Sequence, residues 1–179
     1  MILNQTGQGS SVFQLLIAAV VAIAILSVLF GVLDLAKFFN VGQDPTTAAA
    51  ETLKGAYTAP SNIKSSRTSL FNFDTTLNVK GIAAAAKGGP QADDLCLTLG
   101  DFATNNRGFE FITDGKALRY KGSSPAQARI DVICDYGETE LGATLDTLNM
   151  RDKLQMDMCD FSSAVADAEV CIISLRIAR

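Results

Sequence analysis

The sequence predicts an α+β protein: a long N-terminal hydrophobic α-helix followed by an antiparallel β-rich globular head. Three observations predict it. The run Val12–Leu33, VFQLLIAAVVAIAILSVLFGVL, contains no charged residue. From Leu70 onward, apolar residues recur with a period of two in short runs. Four cysteines, Cys96, Cys134, Cys159 and Cys171, all fall in that second part. The chain divides accordingly into residues 1–40, the hydrophobic helix, 41–69, a linker, and 70–179, the head.

As an α-helix the uncharged run would be about 33 Å long, enough to cross a bilayer core of about 30 Å. Only Gln14, Ser27 and Gly31 interrupt its apolar character. Each Leu, Ile, Val or Phe near the bilayer centre favours insertion by about 0.3–0.6 kcal/mol. The flanks do not resemble a cleavable signal. The first basic residue is Lys37, residues 1–11 are polar and uncharged, and LAKFFNVGQD after the run offers no clear cleavage site. The helix is therefore expected to remain on the mature protein, entering the membrane by an unusual signal or after loss of a basic leader. Ala18, Ala19, Ala22 and Ala24 form a small-residue patch that Ser27 and Gly31 extend. Such residues let helices approach closely, in lipid or in a bundle. Gly42 and Pro45 end the helical pattern.

Residues 46–57, TTAAAETLKGAY, read as a short helix or a mobile connection, and the polar run 60–69 reads as a loop. Leu70–Phe73 and Thr76–Val79 have strand composition around a turn at Asp74-Thr75. Ile82–Lys87 is alanine-rich and helical, stopped by Gly88-Gly89-Pro90. Leu95–Leu99 is a strand, and Gly108–Tyr120 is a hairpin around a two-residue Asp114-Gly115 turn. Arg129–Cys134 alternates, with Ile130, Val132 and Cys134 on one side. Residues 144–152 fit helix or strand, whereas Leu154, Met156 and Met158 alternate as a strand. Val170–Ile177 is an apolar terminal strand, expected to be central in its sheet.

Composition excludes several functions. The formal net charge is −4, all of it after Leu33, and no Lys/Arg cluster occurs, so nucleic acid is not an expected partner. The chain has no His, which removes Ser-His and Cys-His nucleophile pairs and the histidine general base. Phosphate-binding glycine motifs are absent as well. Neither enzyme activity nor a cofactor is expected. The lone Gly7-Gln8-Gly9 belongs to a flexible tail, Asp93-Asp94 to a solvated turn without EF-hand spacing, and Glu138 and Glu140 to the surface. An even cysteine count beside a membrane-targeted segment predicts one or two disulfides, with three pairings open. Buried free thiols and a zinc site of four scattered thiolates are the alternatives. The sequon Asn4-Gln5-Thr6 lies before the helix.

A glycine- and glutamine-bearing stretch runs straight into the apolar segment: Gly7-Gln8-Gly9-Ser10-Ser11-Val12-Phe13-Gln14-Leu15-Leu16. In this arrangement the chain resembles the type IV pilin superfamily, and within it the archaeal class III-type pilins, which carry Gly-Gln-x-Ser-x-Glu-Phe there. The family's early acidic residue is absent, and Val12 or Gln14 stands nearby. The run 70–99 looks like the strand, short helix and Cys-bearing strand of such heads. The resemblance implies a structural subunit of an extracellular filament, membrane-anchored before assembly and a homo-oligomer afterwards. It also implies a prepilin peptidase, an assembly ATPase and a membrane platform protein as partners. Cleavage after a glycine would fall after Gly7 and leave Gln8 first. The helix–helix assembly residues would be Val12, Phe13, Gln14, Leu15, Leu16, Ala18, Ala19, Ala22, Ala24, Ser27 and Gly31, with the head exposed for adhesion. The alternative is a single-pass membrane-anchored extracellular binding protein.

Overall fold

The computed structural model describes residues 14–25, 43–100, 108–154, 156–162, 164 and 168–178. The chain divides into two compact units, Met1–Val41 and Gly42–Arg179. In the first unit residues 14–25 are helical (α1). Twelve helical residues rise about 18 Å, and among the described residues no helix is long and apolar enough to cross a membrane.

This corrects the expected fold class. The longest described helix is the 13-residue Pro45–Tyr57 (α2), not an N-terminal one. Apolar composition measures transfer into lipid, whereas helical continuity depends on the backbone.

The second unit begins with α2. Asp44 caps it by accepting the Thr47 N–H at 2.9 Å, and Pro45 occupies a first-turn position where a missing N–H costs nothing. Its Ala48, Ala49, Leu53 and Ala56 are buried. The strands β1 (Ile63–Ser65), β2 (Ser69–Phe71) and β3 (Thr76–Asn78) follow. The polar run expected to be a loop thus contributes to the sheet. Asn78 then caps α3 (Val79–Ala86) by accepting the Gly81 N–H at 2.7 Å. The remaining elements are β4 (Leu95–Thr98), β5 (Phe109–Thr113), β6 (Ala117–Tyr120), β7 (Ala126–Tyr136), α4 (Gly137–Thr147) and β8 (Glu169–Ile177).

The main sheet has the order β1-β7-β8-β4, with β2 also paired to β7. Strands β1 and β2 lie along successive parts of β7, and Ser66 bridges the gap between them. Its N–H donates to the Ile130 carbonyl at 2.8 Å, and its Oγ accepts the Ile130 N–H at 2.9 Å. The terminal strand β8 is central, as its apolar run predicts. The head is not purely antiparallel, however, because β4 pairs with β8 in parallel.

Both faces of this sheet are covered, which is the physical reason for the mixed character. Leu95, Leu97, Ile130, Val132, Cys134, Cys171, Ile173 and Leu175 join the core that α2 and α3 close. Cys96, Ile133, Val170 and Ile172 face the other way, onto Leu141 and Leu145 of α4 with Leu154 and Phe161. A strand buried on both sides needs a continuous apolar run and tolerates a parallel neighbour.

A second sheet has the order β3-β6-β5. The edge-on stack of Phe71 on Phe109, with centroids 5.0 Å apart, joins it to the first. Its hairpin closes over three residues, 114–116, rather than two. Thr113 pairs with Ala117, and the Lys116 N–H donates to the Thr113 carbonyl at 3.1 Å. Only Gly115 takes a positive φ, +62°, whereas a two-residue type I′ turn needs two such residues. The strand expected at Leu154–Met158 is replaced by two 3₁₀ turns, Arg151–Lys153 and Met156–Met158. Their N–H groups are satisfied locally, Met156 on Leu154 and Cys159 on Met156, each at 2.8 Å, so the segment has no sheet ladder.

Candidate assembly surfaces

Of the residues singled out for assembly, Gln14, Leu15, Leu16, Ala18, Ala19, Ala22 and Ala24 lie in α1, and every residue of 14–25 is exposed. Leu15 is 74% exposed and Ile23 67%. In a helix, residues 18 and 22 stand one above the other on one face. Val12, Phe13, Ser27 and Gly31, and the leader residues Gly7 and Gln8, lie outside the described residues. An apolar patch of this kind on a soluble surface marks a place where something else sits.

All four cysteines are oxidised, in the pairs Cys96–Cys159 and Cys134–Cys171. The second joins residues directly opposite each other in the β7–β8 ladder. The first fixes the 3₁₀ segment to β4. Free thiols and a thiolate zinc site are thereby excluded. Glu169 lies near Cys134 and Cys171, yet their sulfurs carry no free thiolate to offer a metal.

Three carboxylates are buried around β7 and β8. Asp131 forms a forked ion pair with Arg176, Nε to Oδ2 at 2.9 Å and Nη2 to Oδ1 at 3.3 Å. Burial pushes the Asp135 carboxyl up. Hydrogen bonds donated by the Thr144 hydroxyl at 2.6 Å, the Tyr136 N–H at 2.9 Å and the Ser61 hydroxyl at 2.9 Å outweigh it and hold the group below its ordinary value. For Glu169 burial dominates, and the nearby Asp135 charge adds to it, so this carboxyl is raised. Its Oε1 has no hydrogen-bond partner.

On the α4 side, a half-open groove of about 630 Å³ lies at the end of the sheet where β7 begins and β8 ends. Arg129, Lys153, Arg176 and the buried Asp131 supply its charge, and Leu148, Met150 and Leu154 its apolar wall. Arg129 and Arg176 are direct cross-strand partners. Sequence alone hides this groove. Alternation puts Arg129 with Asp131 and Ser174 with Arg176, but only the register brings the two arginines together.

The residues expected to lie on the surface do so. Glu138 and Glu140 are exposed in the first turn of α4, where the helix dipole favours them. Asp93 and Asp94 belong to a short turn, beside which the carbonyls of Ala92, Asp93 and Leu95 accept from the Lys116 ammonium at 3.0–3.4 Å. No family model, curated protein or solved structure matches this chain.

Proposed function

We propose that this protein is a structural subunit of an extracellular, type IV pilus-like filament, in which the apolar N-terminal segments of many copies pack together and the heads lie outside. The observation that carries the proposal is the exposed apolar face of α1. Seven large side chains, Leu15, Leu16, Ile17, Val20, Val21, Ile23 and Ile25, are 49–74% exposed around four alanines. Such a face costs free energy in water until copies cover it. Where it leaves one apolar environment for another, the hydrophobic term nearly cancels, and close packing at small residues decides the balance.

Two further observations support the reading. The glycine- and glutamine-rich entry into this segment is similar to that of the archaeal pilins. A head closed by two disulfides suits an oxidising space outside the cytoplasm. Leader removal, membrane-bound subunits and an ATPase-driven platform belong to the same proposal. Shearing cells and pelleting the released material tests it. The protein is expected in high-mass filaments visible by electron microscopy. Recovery only with membranes, as for an anchored binding protein, overturns the proposal.

A further inference from the structure

We infer that the basic groove at the start of β7 receives the carboxylates of Glu138 and Glu140 from the α4 helix of a second copy, so that heads join head to tail. The inference deepens the filament proposal and rests on it for the setting in which heads meet. The groove has the features of an acceptor. Like charges directly opposite in an antiparallel pair are unfavourable, yet Arg129 faces Arg176 across the ladder. Only one of the two is neutralised, because the buried Asp131 clamps Arg176 through two contacts. That clamp orients the Arg176 guanidinium, while Arg129 and Lys153 have no carboxylate partner among the described residues. Three cations thus surround one anion beside an apolar wall, in a chain whose net charge is −4.

The complementary charges stand at the other end of the same sheet. Along strand β7 the stretch from Arg129 to Tyr136 covers about 24 Å at roughly 3.4 Å per residue. Helix α4 starts immediately after it, with Glu138 and Glu140 exposed and outside any ion pair among the described residues. Helix α4 then runs back toward the groove, which Leu148, just past its end, helps to line. One head cannot close this contact on itself. A contact between unlike surfaces that does not close generates an open helical polymer, the geometry a filament needs. Opposite charges at the two ends also select head-to-tail approach over head-to-head.

Zero-length carbodiimide coupling of Lys to Glu in the full chain tests this. The chain is held in detergent that covers the apolar N-terminal run, as an equal mixture of 14N and 15N protein at low salt. The expected result is a mixed-isotope cross-link between Lys153 and Glu138 or Glu140. It should fall about tenfold in Arg129→Glu, which keeps both coupling groups and alters only the groove charge. Arg129→Glu/Lys153→Glu and Glu138→Lys/Glu140→Lys each lack one coupling group and give no link alone, but a link between position 153 and position 138 or 140 should return when the two variants are mixed, since amine and carboxylate have then exchanged places. Absence of the mixed-isotope link in the unaltered protein, or no recovery in the variant mixture, overturns the inference. The first arm does not depend on how the variants fold. Because detergent masks the apolar run, the outcome is independent of filament formation, which the shearing experiment judges separately.

Discussion

Replacing Cys96 and Cys159 together by Ala isolates what one bond does for the head. The bond closes a loop with a sequence separation of 63 residues and ties the 3₁₀ segment to β4. Freeing a loop of that size in the unfolded ensemble costs the native state about 4 kcal/mol by the chain-entropy relation. A unit of this size has an unfolding entropy near 0.3 kcal/mol/K, so the melting temperature should fall by about 14 °C. Leu154 and Phe161, which pack in the same cluster as Cys96, should lose protection first. The assay is urea denaturation of the oxidised protein beside the double variant, followed by circular dichroism, with hydrogen exchange locating the loosened segment. The slope with denaturant need not be conserved, because removing a cross-link lets the unfolded chain expand. A loss below about 1 kcal/mol, with residues 154–162 as protected as before, would refute the reasoning.

Other perturbations test separate parts of the structure. Glu169→Gln removes a carboxyl whose folded pKa is raised. Such a group favours the folded state most below its unfolded value, 4.5, and that advantage is lost as pH rises toward the folded value. The variant should therefore melt higher than the parent at neutral pH and show no advantage below about pH 4; an equal shift at both pH values counts against the burial argument. Asp135→Asn should act in the opposite sense, losing stability at neutral pH and little in acid, because hydrogen bonds depress the native carboxyl. Gly115→Ala forces a side chain into φ +62° and against the Met158 carbonyl. A loss of about 2–4 kcal/mol in denaturant titration is expected, and a neutral result removes the close approach. Ala18→Leu with Ala22→Leu should reduce filament yield in sheared material more than it reduces membrane association, and normal filaments would show that close packing there is not required.

Local features were legible wherever one residue sets one backbone outcome. Gly88 and the alanines before it mark the end of α3, and Val170 onward marks a strand central in its sheet, whereas the first turn of α3, from Val79, was hidden by the strand composition of Thr76–Val79. The hairpin at Gly115 was legible in place but not in length, since turn type depends on whether Asp114 also takes positive φ. Leu154, Met156 and Met158 alternate as a strand would, yet a disulfide and local hydrogen bonds hold them in 3₁₀ turns. At α1, hydropathy marked an apolar run of which residues 14–25 are described, all of them helical.

What the sequence by itself determined is the separation of an uncharged apolar front from an acidic, cysteine-bearing head, and which face of each strand is apolar. Those properties follow from side-chain chemistry and the two-residue strand period, which need no distant partner. Only the tertiary structure decided the cysteine pairing, the parallel seating of β4 beside β8, and the meeting of Arg129 with Arg176. Each is a match between segments tens of residues apart, chosen by burying both faces of one sheet at once, and no local window of the chain contains that choice.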